Sequence, residues 1–179
     1  MARIPRPLAA LVGLGLLASL TVACSGTARD APPLLLPVNS APTTVYDAKG
    51  RPITVLRDEN RTSIPLEQIP NITRTAVVAI EDSRFWSHRG VDPRAVARAA
   101  SSNAEEGEAG QGGSTITQQY VKTALLSPEK TLQRKLEEAS MALSIERNYS
   151  KELILELYLN TIYFGDGAYG IDAAARSYF

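Results

Sequence analysis

AVVAIEDSRFWSHRG, residues 76–90, runs an apolar stretch straight into two adjacent carboxylates, Glu81 and Asp82. Ile72, Ala76, Ala79 and Ile80 recur at helical spacing, so the stretch reads as a helix with one core-facing stripe that ends at the acidic pair. A carboxylate at the exit of a buried helix is costly to desolvate. The negative end of the helix dipole adds to that cost, and together they make the setting of a general base. An ordinary helix-ending surface carboxylate is the competing reading of Glu81. Asp82 would equally serve as a cap for the next turn. His88 is the only histidine, and a single ring does not make a metal site.

Downstream lies GGSTITQQYVK (112–122), a Gly-Gly turn opening onto hydroxyls, amides and a lysine. As a helix, 114–125 puts Thr115, Gln118, Gln119 and Lys122 on one stripe and Ile116, Tyr120 and Ala124 on the other. Such a polar stripe suits an anionic or sugar ligand, or simply a solvated face. In TLQRKLEEA (131–139), Arg134 and Glu138 stand one turn apart, the spacing of a surface ion pair. However, Leu132, Leu136, Ala139 and Leu143 on one side and Met141 and Ile145 on the other make the helix apolar on both. That argues for burial and places the charges beside a cavity.

The remaining elements are mostly helical. TTVYDAKGRPITVL (43–56) reads as a short β-hairpin around Asp47-Ala48-Lys49-Gly50. Asp92-Pro93 opens a helix through about Ala104, and EEGEAGQGG (105–113) is an acidic, glycine-rich loop. Further helices are expected at 129–147, with Ser127 as cap and Pro128 in first position, at 151–163 and at 170–177. The fold class is therefore mostly α with an N-terminal hairpin, folded from about Thr43.

The segment 1–24 reads as a targeting element. Arg3 and Arg6 precede the apolar run LAALVGLGLLASLTVA (8–23), which meets small residues at Ala23-Cys24-Ser25-Gly26. Two readings stand: a lipoprotein signal with Cys24 as the lipidated residue, or an uncleaved signal anchor. Either places the rest of the chain on the outer face of a membrane. Residues 25–42 form a linker, with four prolines in APPLLLPVNSAP (31–42) favouring an extended spacer. Lys and Arg total 19, as do Asp and Glu, so no basic footprint for nucleic acid exists. Cys24 is the single cysteine, which excludes a disulfide framework and a cysteine metal site.

Taken together, these segments resemble the glycosyltransferase family 51 domain of class A penicillin-binding proteins and monofunctional transglycosylases. The resemblance runs from Thr43 to Phe179: EDSRFWSHRG matches EDxxFxxHxG, GGSTITQQYVK matches GxSTxTQQ…K, and RKLEE matches RKxxE. KELILELYLN (151–160) and FGDGAYGIDAAARSYF (164–179) complete the order. It implies a lysozyme-like helical fold that polymerises lipid II into β-1,4-linked glycan strands with inversion, releasing polyprenyl diphosphate. On the matching positions, Glu81 is the base and Glu138 the second essential acid. Lys122, Arg134 and Lys135 serve the diphosphate, while Asp82, Phe85, His88, Ser114, Thr115, Gln119 and Asn160 shape substrate binding. Glu152 and Glu156 are assigned to packing or capping.

The resemblance also admits a divalent cation, Mg or Mn, at Glu138, and implies no organic cofactor. The implied partners are lipid II, the nascent glycan strand, the membrane, and a transpeptidase domain or other cell-wall synthesis proteins. Departures are Thr123, where Asn or Asp is frequent, and an end at Phe179 within the last motif, which reads as C-terminal truncation. The alternatives from other classes are a lysozyme-like hydrolase, which needs a good general acid, and a non-catalytic cell-wall-binding lipoprotein.

Overall fold

The hairpin and helices assemble as a computed structural model that describes residues 32–34, 43–56, 60–106, 112–129 and 131–179. The expected targeting segment 1–24, with Cys24, lies outside the described residues. Strands β1 (Thr43–Tyr46) and β2 (Pro52–Leu56) pair antiparallel, Thr43 opposite Leu56 and Val45 opposite Thr54. Their turn is held by Asp47, whose Oδ1 accepts from the N–H groups of Lys49 and Arg51 at 2.8 and 2.9 Å. Gly50 takes φ +74°, where a side chain would be strained. β3 (Asn60–Arg61) pairs in parallel with β4 (Ala168–Tyr169), bringing the two ends of the helical region together.

Among the described residues, six α-helices carry the rest: α1 (Asn71–Glu81), α2 (Pro93–Glu106), α3 (Ile116–Ala124), α4 (Leu132–Asn148), α5 (Lys151–Thr161) and α6 (Ile171–Tyr178). α5 is the central element. Ile154, Leu155, Leu157, Tyr158 and Leu159 are all buried, so it is enclosed on several sides, as its apolar sequence requires. Each such aliphatic side chain contributes roughly 1.5–3 kcal/mol by leaving water. α3 and α4 pack around it with Ile116, Tyr120, Val121, Ala142 and Ile145. Gly90 lets the loop after α1 press against α4, since a Cβ there would lie 2.6 Å from the carbonyl oxygen of Ala142.

Local capping fixes the helix starts. Asp92 accepts from the N–H groups of Arg94 and Ala95, as the Asp-Pro pair predicts. Thr115 and Gln118 form a reciprocal capping box at α3, and Ser150 caps α5. α4, however, begins at Leu132 with Thr131 as its cap, not at Ser127-Pro128: the Thr131 hydroxyl accepts from the N–H of Arg134 at 3.1 Å.

Two apolar stripes do not lie where periodicity puts them. On α1 the buried residue is Val78, with Val77 packed beside the core, while Ile72 and Ile80 are 77% and 82% exposed. Both faces of this helix are apolar, and the side taken by the core is the one that aims Asp82 inward. On α4, Leu132 and Leu136 are exposed, whereas Glu138, Ala142 and Ile145 form the buried face. Within the expected linker, Leu34 packs on the core and the carbonyl of Pro32 accepts from the Tyr149 hydroxyl.

Candidate active site

α1 ends by turning its two acids in different directions. Asp82 is buried, and its Oδ2 accepts from the N–H of Ile116 at 3.1 Å and meets His88 Nε2 at 2.7 Å. Glu81 is exposed, which differs from the burial expected for it: Ala79 and Ile80 before it are exposed as well, and Val78 is the last residue of the helix that the core takes. Its Oε2 accepts from Gln119 Nε2 at 2.9 Å, and Gln119 Oε1 accepts in turn from the Tyr158 hydroxyl at 3.0 Å. Burial, reinforced by the charges of Glu81 and Asp82, pushes the Tyr158 phenol well above its ordinary range, so it stays a donor.

These groups border a cleft of about 260 Å³ between α1, α2 and the start of α3. Glu81, Asp82, Ser114, Thr115 and Gln119 line it, together with Arg98 and Asp92. Asp92 is occupied as the cap of α2 and as the partner of Arg84. Thr115 is committed to its capping box and to the Gly90 carbonyl, so the polar stripe offers Gln119 and Lys122 but neither Thr115 nor Gln118 as free ligands.

A second cluster is built on the first two turns of α4. Glu138 is 1% exposed, ion-paired with Lys135 and, at 3.6 Å, with Arg134. Lys135 Nζ also donates to Ser114 Oγ at 2.9 Å, which ties the cluster to the cleft. Arg134 Nε and Glu138 Oε2 are buried without a hydrogen-bond partner among the described residues. Such atoms are uncommon in a finished core and fit a place where a ligand completes the bonding. Lys122 is exposed on the last turn of α3. The donor set does not suit a protein-held divalent cation. Glu138 already faces two cations, and among the described residues no group of three His, Cys, Asp or Glu side chains is placed to hold a metal ion.

Three residues expected to shape substrate binding are internal. Phe85 is fully buried, with Lys151 Nζ 4.4 Å from its ring centroid. His88 is enclosed between Asp82 and Glu146, which also binds Thr117 and Lys151. Asn160 clamps backbone: its amide donates to the carbonyls of Ile64 and Glu156 at 2.9 Å, and its Oδ1 accepts from the N–H of Ile64. Polar residues in an apolar helix satisfy the chain beside them before they satisfy a ligand. Glu156 takes the capping role, accepting from the N–H of Leu66 at 2.8 Å. Tyr158 and Arg98 escaped the sequence reading. A tyrosine in a buried apolar helix needs a partner for its hydroxyl, and that was the available signal for Tyr158.

An exposed glutamate hydrogen-bonded to an amide thus lines the cleft, and the Lys135–Ser114 bond links that cleft to a carboxylate paired with two cations. A model of the transglycosylase family matches residues 49–179, and the chain belongs to that family of glycosyl-transferring enzymes. It is 47% identical to penicillin-binding protein 1A/1B of Bacillus subtilis over 136 residues, 76% of this chain and 15% of that protein. It is 50% identical to penicillin-binding protein 1A of Aquifex aeolicus over 135 residues, 75% of this chain and 19% of that protein. Penicillin-binding protein 1A of Escherichia coli is 49% identical over 138 residues, 77% of this chain and 16% of that protein. The chain thus spans less than a fifth of the length of these relatives. Among the described residues no helix is long and apolar enough to cross a membrane.

Proposed function

We propose that this chain is a peptidoglycan glycosyltransferase that joins lipid II units into β-1,4-linked strands with inversion. Family membership supports the reaction class, and the relatives' names support the setting. The observation that carries the residue assignment is the Gln119–Glu81 hydrogen bond, which engages Oε2 and leaves Glu81 Oε1 open at the cleft. There it takes the proton of the acceptor sugar's 4-hydroxyl as that oxygen attacks the anomeric carbon of the donor strand. The C–O bond to the diphosphate breaks from the opposite face, and polyprenyl diphosphate leaves with the electron pair.

The leaving group needs charge stabilisation more than a proton. Arg134, Lys135 and Lys122 supply cations, and the unpartnered Nε–H of Arg134 is a donor for a phosphate oxygen. Glu138 orders Arg134 and Lys135. It is engaged by them rather than standing free as the general acid a hydrolase requires, which favours polymerisation over the lysozyme-like alternative. No step is assigned to a metal. The lipid-borne donor implies a site at the outer face of the cytoplasmic membrane, with lipid II and the growing strand as partners. The test is incubation with labelled lipid II, with and without a muramidase. Long strands that the muramidase digests support the reading; unchanged lipid II, or shortened pre-made strands, overturns it.

A further inference from the structure

Tyr158 is not itself part of the cleft lining, yet its hydroxyl ends a directional chain that starts at Glu81. A carboxylate only accepts, so Gln119 must present its NH₂ to Glu81. Its carbonyl then necessarily faces Tyr158, and the phenol must donate. The reverse amide orientation would set the Gln119 oxygen against the Glu81 carboxylate. Among the described residues Gln119 has no other side-chain partner, and it sits half-buried at the cleft wall, so Glu81 sets which way its amide faces and Tyr158 holds that amide from the far side. Tyr158 itself is 1% exposed on the central helix α5 and cannot readily turn away. From this geometry we infer that Tyr158 is a positioning residue: it locks the Gln119 amide so that one oxygen of Glu81 is held and the other is aimed at the acceptor hydroxyl.

The inference rests on the proposed base role of Glu81, but its structural half stands apart from activity. The charged and titratable groups around Glu81 are Asp82 on its own helix, Arg98 and Asp92 at α2, and Tyr158 on α5. Asp82 and Asp92 are each held by other partners, which leaves the Gln119 amide as the group that orients Glu81.

The experiment uses the full chain and Tyr158→Phe, with two readouts. One is turnover of lipid II. A lost neutral hydrogen bond acting through orientation should lower kcat about three- to tenfold, with KM changed less than about twofold. Tyr158→Phe combined with Gln119→Leu should be no slower than Gln119→Leu alone. The other is the side-chain NH₂ resonance pair of Gln119, which should shift on Tyr158→Phe and again on Glu81→Ala. Unchanged amide resonances, or additive losses in the double variant, overturn the inference. If Tyr158→Phe does not fold, the Tyr158 ring ¹³Cζ resonance in the otherwise native chain must move on Gln119→Leu, and its constancy counts against the relay. Should the parent chain leave lipid II untouched while these resonances respond, the relay stands and the glycosyltransferase reading falls.

Discussion

Asp82 and His88 are joined side chain to side chain, Oδ2 to Nε2 at 2.7 Å, with both buried. The same oxygen accepts from the N–H of Ile116, so one carboxylate fixes the loop after α1 and the first turn of α3. Asp82→Ala leaves a buried backbone donor and an imidazole without their acceptor. The expected loss is about 2–4 kcal/mol of stability, read by chemical denaturation. A variant as stable as the parent would show that water replaces the carboxylate.

Glu81→Gln should behave differently. The side chain is exposed, so folding should change by less than about 0.5 kcal/mol. Turnover should fall about 10²–10⁴-fold, the usual contribution of a positioned base, while lipid II is still bound. Near-parental strand synthesis would remove Glu81 from the proton-accepting role.

Arg134→Ala and Lys122→Ala separate two kinds of cation. Arg134 is largely buried against Glu138 and carries a donor with no partner, so its loss should cost about 10²–10³ in kcat. Lys122 is exposed and solvated, so its loss should appear chiefly as a weaker, more salt-dependent KM. Steady-state kinetics at two ionic strengths distinguishes them. Equal effects would mean that both face the leaving group directly.

Asn160→Ala tests the backbone clamp. Because its amide clamps the backbone at Ile64 and Glu156, the expected effect is about 1–3 kcal/mol of lost stability. KM for lipid II should change little at temperatures where the variant stays folded. A raised KM in a fully stable variant would return Asn160 to the substrate.

The helices were legible from their caps wherever the cap is a local matter. Asp92 announces α2 directly. Ser127-Pro128 looks equally good, but Thr131 holds the start of α4. The two misplaced stripes have a different origin. α1 offers apolar residues on both faces, so a periodicity of 3.6 finds the helix but cannot say which side meets the core. That choice is made by Phe85, Asp82 and the packing of α3, which are tertiary relations. For the site, residue type pointed to Glu81, Gln119, Arg134 and Glu138. It could not separate Ser114, which borders the cleft, from Asn160, which is consumed by backbone, because both are polar and both lie in matched motifs.

The stretch Ser114–Gln119 is wired to six separate places within six residues. Ser114 reaches Lys135, Thr115 reaches the Gly90 carbonyl, the N–H of Ile116 reaches Asp82, Thr117 reaches Glu146, and Gln119 reaches both Glu81 and Tyr158. Substituting one of them breaks one connection, or two at Gln119. Inserting or deleting a single residue here would turn every later side chain by about 100° around the helix axis and break several at once. Length is therefore held more tightly than chemistry along this stretch. A library that varies its letters will return working proteins where one that varies its spacing will return none.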